Sequence, residues 1–355
     1  MRTIPIIQLG TGNVGKEVIR QVMDINRQNS STRFCYIGLA NSKAVLFKKE
    51  GFSETMLDEI ISRKESFTTF FSSSVKHNGD IAPLISSIDQ SAMDDISMID
   101  TTDTDLHLNF LRKCAEKGLS LVLANKKPLI GDMKTFRLLT REKLGCRATV
   151  GAGLPVIPVL SELKSKGKNI AVIQGCFSGS MGILCTSMEK GELFSNIVND
   201  LYSKGITEPD PREDLSGIDL ARKVLILTRL SGRSIEMEDI QMERLFPEEL
   251  ATIPLKQFLS EIKTLDNHFN DLFTQAAGRG STFRFVATFS KRKCNVGLRE
   301  VSRESHIGKL TGADKLALIY TECSPENPVL VKGAGAGATN AARDVVEDLL
   351  EVVQH

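Results

Sequence analysis

The chain predicts an α/β protein in which a doubly wound parallel sheet is followed by an α+β second domain. Three observations carry this. Short apolar runs alternate with amphipathic helical stretches over the first 150 residues, as in repeated strand–helix crossovers. That alternation changes character after ATVGAGLPVIP, from Ala148 to Pro158. The length of 355 residues also exceeds the ~250–300 at which single cores stop growing. The boundary is therefore placed at 150/151, with 151–334 as the second domain and 335–355 as a glycine turn and helix packing back on the first.

In order, Ile4 to Leu9 is a β-branched run ending in glycines, as expected of a strand buried on both faces. Val14, Val18, Ile19 and Val22 then mark one side of a helix. Phe34 to Leu39, Ile96 to Ile99 and Leu119 to Ala124 are expected strands, and Leu106 to Ala115 and Lys134 to Leu144 expected helices. Ser62 to Asp80 is polar and aperiodic and is expected to be a surface excursion. In the second domain, Ile170 to Gln174 and Thr282 to Phe289 are expected strands, with Cys294 to Glu300 a hairpin partner across Lys291-Arg292-Lys293. Long helical periods run from Leu215 to Leu230 and from Leu255 to Leu272.

Composition narrows the function. The formal net charge of +1 provides no field for nucleic acid or an anionic membrane, so the partner is expected to be a small molecule. Seven scattered cysteines, never in a CxxC pair, argue against a disulfide framework and a structural zinc site and fit a reducing, cytoplasmic setting. The run MRTIPIIQLG is too short for a signal-peptide core, and no stretch approaches ~18 consecutive apolar residues, so neither export nor a membrane span is expected.

Gly10, Gly12 and Gly15 form GxGxxG between a strand and a helix. The first allows the tight turn, the second lets backbone approach a pyrophosphate, and the third allows helix–strand packing. With Asn13 and Val14 opening the helix, the phosphates would sit on its N-terminus, so the first domain is Rossmann-like. The second strand runs into Asn41-Ser42-Lys43 with no carboxylate to take ribose hydroxyls, so NADP(H) is favoured and NAD(H) is the alternative. A lysine capping a solvated loop is the plain alternative for Lys43. Lys126 and Thr101-Thr102-Asp103 follow strands at the carboxyl edge, where sites of open α/β sheets gather, with helix capping the alternative for the threonines. Lys127 is expected to be solvated.

The stretch TEPDPREDLSGIDLARK crowds Glu208, Asp210, Glu213 and Asp214 into a proline-punctuated loop. A helix follows with Asp219 and Lys223 at i and i+4. Hydride transfer to a carbonyl needs a proton donor near the oxygen, and carboxylates can bind an ammonium. An acidic first turn complementing the helix dipole is the simpler alternative.

GTGNVG, ANSKA, DTTDTD, ANKKPL, ATVGAGLPVI, FSGSMGIL, TEPDPREDLSGIDLARK, KLTGADK and VKGAGAGA together resemble the homoserine dehydrogenase family, in order and over nearly the whole chain. The resemblance implies a reversible NAD(P)-dependent interconversion of L-homoserine and L-aspartate 4-semialdehyde, in threonine and methionine biosynthesis. It implies that Lys223 is the proton donor and Lys126 a second active-site lysine. Glu208, Asp214, Asp219 and Ser180 would contact substrate. Gly10, Gly12, Asn13, Val14, Gly15, Asn41, Ser42, Lys43, Thr102, Asp103, Lys126, Gly335 and Gly337 would contact cofactor. It further implies a catalytic and dimerisation role for the second domain, and a homodimer or dimer of dimers.

The chain departs from the family pattern. Arg147 stands where the family has a glutamate that helps bind a monovalent cation near Val150 and Ala152, so the ion is expected to be replaced by the side chain or lost. Ser180 replaces a threonine, and Asn340, Ala341 and Asp344 replace valine, threonine and glycine. No aspartate kinase or ACT-type module lies in the 355 residues, so threonine feedback through one is not expected. Two other readings compete: a related semialdehyde dehydrogenase, which would need a nucleophilic cysteine, and a catalytically impaired NADP(H)-binding regulatory homologue.

Overall fold

A computed structural model of the chain describes residues 2–28, 31–62, 81, 84, 95–141, 143–291, 293–335 and 337–354. Apart from Ser62, the expected surface excursion lies outside the described residues, as does Arg292. Two compact units separate, Met1–Gly153 with Ala336–His355, and Leu154–Gly335.

The first unit is built on β1 (Arg2–Leu9), β2 (Thr32–Ala40), β3 (Val45–Phe47), β4 (Ser97–Asp100), β5 (Ser120–Leu123) and β6 (Leu144–Gly145), in the order β3-β2-β1-β4-β5-β6. All pairings are parallel except that of β3 with β2. Ile4, Ile6, Ile7 and Leu9 are fully buried because both faces of β1 are covered. Helix α1 (Asn13–Gln28) buries Val18, Ile19 and Val22 of the expected stripe and also Met23, while Val14 is only partly buried. The strand after β1 lies on one side of it and β4 on the other, so the strand order reverses here, and in open α/β sheets ligands bind at the carboxyl ends of strands at such a point. The remaining helices are α2 (Glu54–Ser62), α3 (Leu108–Glu116), α4 (Lys127–Ile130) and α5 (Met133–Leu139).

The helix expected to run to Leu144 stops at Leu139, because Leu144–Gly145 is recruited as strand β6. Gly145 is needed there: a Cβ would lie 2.4 Å from the Cβ of Asp348 on the terminal helix.

The second unit holds an antiparallel sheet of β7 (Ile170–Cys176), β8 (Gln241–Met242), β9 (Ser281–Ser290), β10 (Cys294–Ser302), β11 (Lys315–Thr321) and β12 (Ser324–Gly333). Its order is β12-β11-β7-β9-β10-β8, and only the short β8 is parallel to its neighbour. The hairpin of β11 and β12 adds to the strands expected from sequence. The helices are α6 (Val156–Ser165), α7 (Gly179–Met188), α8 (Phe194–Ser203), α9 (Pro211–Leu215), α10 (Ile218–Leu230), α11 (Leu255–Glu261) and α12 (Asp266–Gly278), and α7, α10 and α12 pack on β9.

Both long helices expected in this unit are interrupted. Gly217, at φ +80°, separates α9 from α10, and a Cβ there would meet Val296 at 2.8 Å. A 3₁₀ turn, Ile262–Leu265, separates α11 from α12, where the Asp266 carboxylate accepts bonds from the Ser195 amide and hydroxyl, both 2.8 Å. After the second sheet the chain rejoins the first unit as α13 (Ala338–Val352). Its Ala342, Val345, Val346, Leu349 and Val352 share one buried cluster with Ile4, Ile6, Val18 and Val22.

Candidate active site

In the first unit the glycine turn follows β1. Gly10 sits at φ +94°, where a side chain is strained, and a Cβ on Gly15 would lie 2.2 Å from the Gly10 carbonyl oxygen. Gly12 is different: nothing lies within 4 Å of a Cβ built on it, and it is exposed. Packing of the chain does not demand glycine at 12, whereas a close-approaching ligand does, so the turn fits a dinucleotide pyrophosphate at the start of α1.

The turn is held from beneath by residues that motif reading passes over. The buried Gln8 side-chain amide donates to the Gly10 carbonyl at 2.8 Å and the Gly15 carbonyl at 2.9 Å, and its oxygen accepts from the Tyr36 hydroxyl at 3.0 Å. The Thr101 hydroxyl lies 3.0 Å from the same Gly10 oxygen. The one signal for this was a glutamine inside an otherwise apolar strand, IIQLG.

At the end of β2, Asn41 makes an Asx turn, its side-chain oxygen accepting from the amides of Lys43 at 2.8 Å and Ala44 at 2.9 Å. Ser42 and Lys43 are thereby presented at the exposed tip, and no carboxylate stands in this turn.

At the carboxyl ends of β4 and β5, the buried Asp100 binds the Thr102 amide (2.9 Å), the Thr102 hydroxyl (2.7 Å) and the Asn125 amide (3.0 Å). Burial raises the Asp100 pKa, against the pull of these donors. Asn125 also reaches the Thr104 carbonyl at 2.7 Å and accepts from the Lys127 amide at 3.0 Å, so the turns after β4 and β5 share one network. Asp103 is largely exposed. Lys127 is not simply solvated: its ammonium donates to the Asp103 carbonyl at 2.7 Å, because the tight turn into α4 folds it across that strand end.

Arg147 begins a loop that runs through Val150 and Ala152 to Gly153. Its amide donates to Asp348 Oδ2 at 2.7 Å and its guanidinium to Asp348 Oδ1 at 3.0 Å, with Glu351 as a second partner. Asp344 accepts from the Gly153 amide at 2.6 Å. Two of the unusual residues, Arg147 and Asp344, therefore fasten the two ends of this loop to α13. Gly337 caps α13 at φ +94° with open space around its Cβ position, and Gly335 lies just before it, in the other unit.

In the second unit the acidic stretch and lysine come together at the carboxyl end of β7. Lys223 donates to Asp219 Oδ2 at 2.5 Å and to the Phe177 carbonyl at 3.1 Å, and the side chains are 15% and 5% exposed. An ammonium has three donors, so these bonds leave one for a ligand. Asp214 accepts from the Ser180 hydroxyl at 2.5 Å and from the Glu208 amide at 2.8 Å, fixing the Glu208 loop against α7. Ser178 caps α7 and lies 2.9 Å from the Ser180 hydroxyl. Burial raises the pKa of Asp214, with Met181, Leu184, Pro211 and Leu215 lining a small apolar pocket beside it; Ser180 and Glu208 pull it down, and Asp219 and Lys223 act on it from nearby. Asp210 and Glu213 instead pair with Arg212 and Arg222, which removes them from the cluster.

Residues 155–350 match the family model described as homoserine dehydrogenase. The chain belongs to the homoserine dehydrogenase family. The chain is 34% identical to a homoserine dehydrogenase of Emericella nidulans over 72% of the chain and 74% of that protein, and 32% identical to one of Saccharomyces cerevisiae over 73% and 76%. It is also 30% identical to a bifunctional aspartokinase/homoserine dehydrogenase of Buchnera aphidicola across 99% of the chain. It spans only 43% of that protein's length. Among solved structures, a Candida auris protein of unknown function has a TM-score of 0.88 at 26% identity, over 100% of this chain and 99% of that one. A hyperthermophilic archaeal homoserine dehydrogenase in complex with NADPH has a TM-score of 0.76 at 22% identity, over 99% and 98%, a likeness of fold.

Proposed function

We propose that this homoserine dehydrogenase family chain interconverts L-homoserine and L-aspartate 4-semialdehyde with a nicotinamide dinucleotide, NADP(H) in preference to NAD(H). The carrying observation is the lysine at position 223, clamped by Asp219 and the Phe177 carbonyl with one donor left over. When bound, the dinucleotide would be the hydride source for the aldehyde carbon in the reductive direction. Lys223 delivers the proton to the oxygen and takes it back from the alcohol in reverse. Glu208 and Asp219 offer negative charge to the substrate ammonium, while Ser180 and Asp214 order that wall. Lys126 is assigned as the second lysine of the site, with Gly10, Gly12, Asn13, Val14, Gly15, Asn41, Ser42, Lys43, Thr102, Asp103, Gly335 and Gly337 as the cofactor surface.

On this reading residues 1–150 with the terminal helix bind the dinucleotide, and 151–334 carry catalysis and dimerisation. The edge strand β12, with Val329 and Leu330 exposed, supports a homodimer or dimer of dimers. The preference for the phosphorylated cofactor rests on Ser42 and Lys43 at the tip of the Asx turn. No helix among the described residues is long and apolar enough to cross a membrane, and a cytoplasmic setting is proposed from the cysteine usage. The semialdehyde-dehydrogenase alternative is disfavoured by the cysteines of the core: burial pushes Cys176 and Cys185 up to about 12, the reverse of what a nucleophile needs.

Absorbance at 340 nm with L-homoserine should rise with NADP⁺ and more slowly with NAD⁺ at equal concentration. No rise with either cofactor would overturn the reading. A monovalent cation is not proposed, because Arg147 is turned onto Asp348 and Glu351 and already ties the loop to α13. Titration with Na⁺ and K⁺ at constant ionic strength should leave turnover and melting temperature unchanged; a saturable response to one ion would contradict this.

A further inference from the structure

We infer that Gln8, oriented by Tyr36, is a positioning residue for the dinucleotide: it sets the conformation of the phosphate-binding turn from inside the core. The inference rests on the cofactor reading above.

Gln8 is completely buried in β1, where its neighbours Ile6, Ile7 and Leu9 are apolar. A buried amide is retained only when its hydrogen bonds are satisfied. Here both donor hydrogens are used, one on the Gly10 carbonyl and one on the Gly15 carbonyl, across the two ends of the fingerprint. The oxygen takes the hydroxyl proton of Tyr36, itself buried on the adjacent strand β2. Tyr36 therefore fixes which way the amide faces, since a flipped amide would set its NH₂ against the hydroxyl and its oxygen against two carbonyl oxygens.

The consequence reaches the ligand side through the peptide plane. In a trans peptide the C=O and the following N–H point in opposite directions. Holding the Gly10 oxygen inward on Gln8 and Thr101 therefore turns the Thr11 N–H away from the core, toward the open side where Gly12 leaves room. Holding the Gly15 oxygen fixes the first turn of α1 to β1, and with it the amides at the helix N-terminus. A dinucleotide then meets amides already aimed, and ordering of the turn is not charged against binding. An apolar residue at position 8 would fill the same volume without linking the two glycine carbonyls.

The test uses the full chain, with Tyr36→Phe and Gln8→Leu. NADPH dissociation constants are measured by fluorescence, with KM for cofactor and for homoserine and kcat at saturation. Wild-type chain that binds no NADPH would sink the cofactor reading itself, and with it the ground for this inference. Given wild-type binding, Tyr36→Phe should raise the NADPH dissociation constant roughly three- to tenfold, about what one lost hydrogen bond is worth. Gln8→Leu should raise it more. Both should leave kcat at saturating cofactor and KM for homoserine within about twofold of wild type, and adding Tyr36→Phe to Gln8→Leu should change cofactor affinity little further. A residue that only stabilises the fold would lower the melting temperature and leave the affinity of the folded protein unmoved, and that result would overturn the inference. Should Gln8→Leu fail to fold, Tyr36→Phe decides alone, because it removes one hydroxyl and no volume from the turn.

Discussion

Gly12 and Gly15 are the same residue three positions apart, and they answer to different constraints. A methyl on Gly15 collides with the Gly10 carbonyl, whereas one on Gly12 meets open space. Gly15→Ala should therefore destabilise the fold by about 1–3 kcal/mol, the usual cost of overpacking. Gly12→Ala should leave the melting temperature unchanged and raise the NADPH dissociation constant at least about tenfold, ~1.4 kcal/mol. Parallel thermal melts and cofactor titrations separate the two, and a Gly12 variant that binds normally would remove the turn from the cofactor site. The motif spacing made these glycines legible in the sequence. Gln8, Asp100 and Asn125 were less so: the lone glutamine of IIQLG was the one signal, while the bonds of Gln8 to Tyr36 and of Asn125 to Asp100 join strands that only the fold brings together.

At the scale of elements, the alternating apolar runs gave the parallel sheet readily, since a strand buried on both faces is written in consecutive residues. Helix interruptions were harder. The Leu215 to Leu230 periodicity continues through Gly217, where the left-handed backbone at φ +80° breaks the helix, and Val296 and Phe285 leave no room for a Cβ at that turn. The terminal helix shows the same limit: a helix packing back on the first domain was expected, but its polar face binds the 147–153 loop. There burial pushes the Asp348 carboxyl up to about 7, opposed by the Arg147 amide and guanidinium and assisted by Glu351 and Asp344. A carboxyl whose native pKa lies above its unfolded value of about 3.9 holds its proton more tightly when folded. Its contribution to stability is therefore full below pH ~4 and is lost as pH rises through about 7. Thermal melts from pH 4 to 8 should show this decline, and Asp348→Asn should flatten it. An unchanged slope in that variant would show that another group titrates.

At the scale of the whole molecule, the chain is two compact units, with the GxGxxG turn in one and a lysine–carboxylate cluster in the other. The long acidic segment was legible because proline, acidic side chains and an i, i+4 Asp–Lys pair sit within seventeen residues, TEPDPREDLSGIDLARK. The support from FSGSMGIL was not legible as such: the Phe177 carbonyl reaches Lys223 from a strand end 46 residues earlier in the chain. The central claim is that Lys223 moves the proton of the reaction, and Lys223→Ala tests it directly by comparing kcat for homoserine oxidation with NADPH affinity in the same preparation. The variant should lose about 10²–10⁴ in kcat, the range for a positioned acid–base group, while its NADPH dissociation constant stays within about twofold of wild type. Near-wild-type turnover in Lys223→Ala would contradict the assignment.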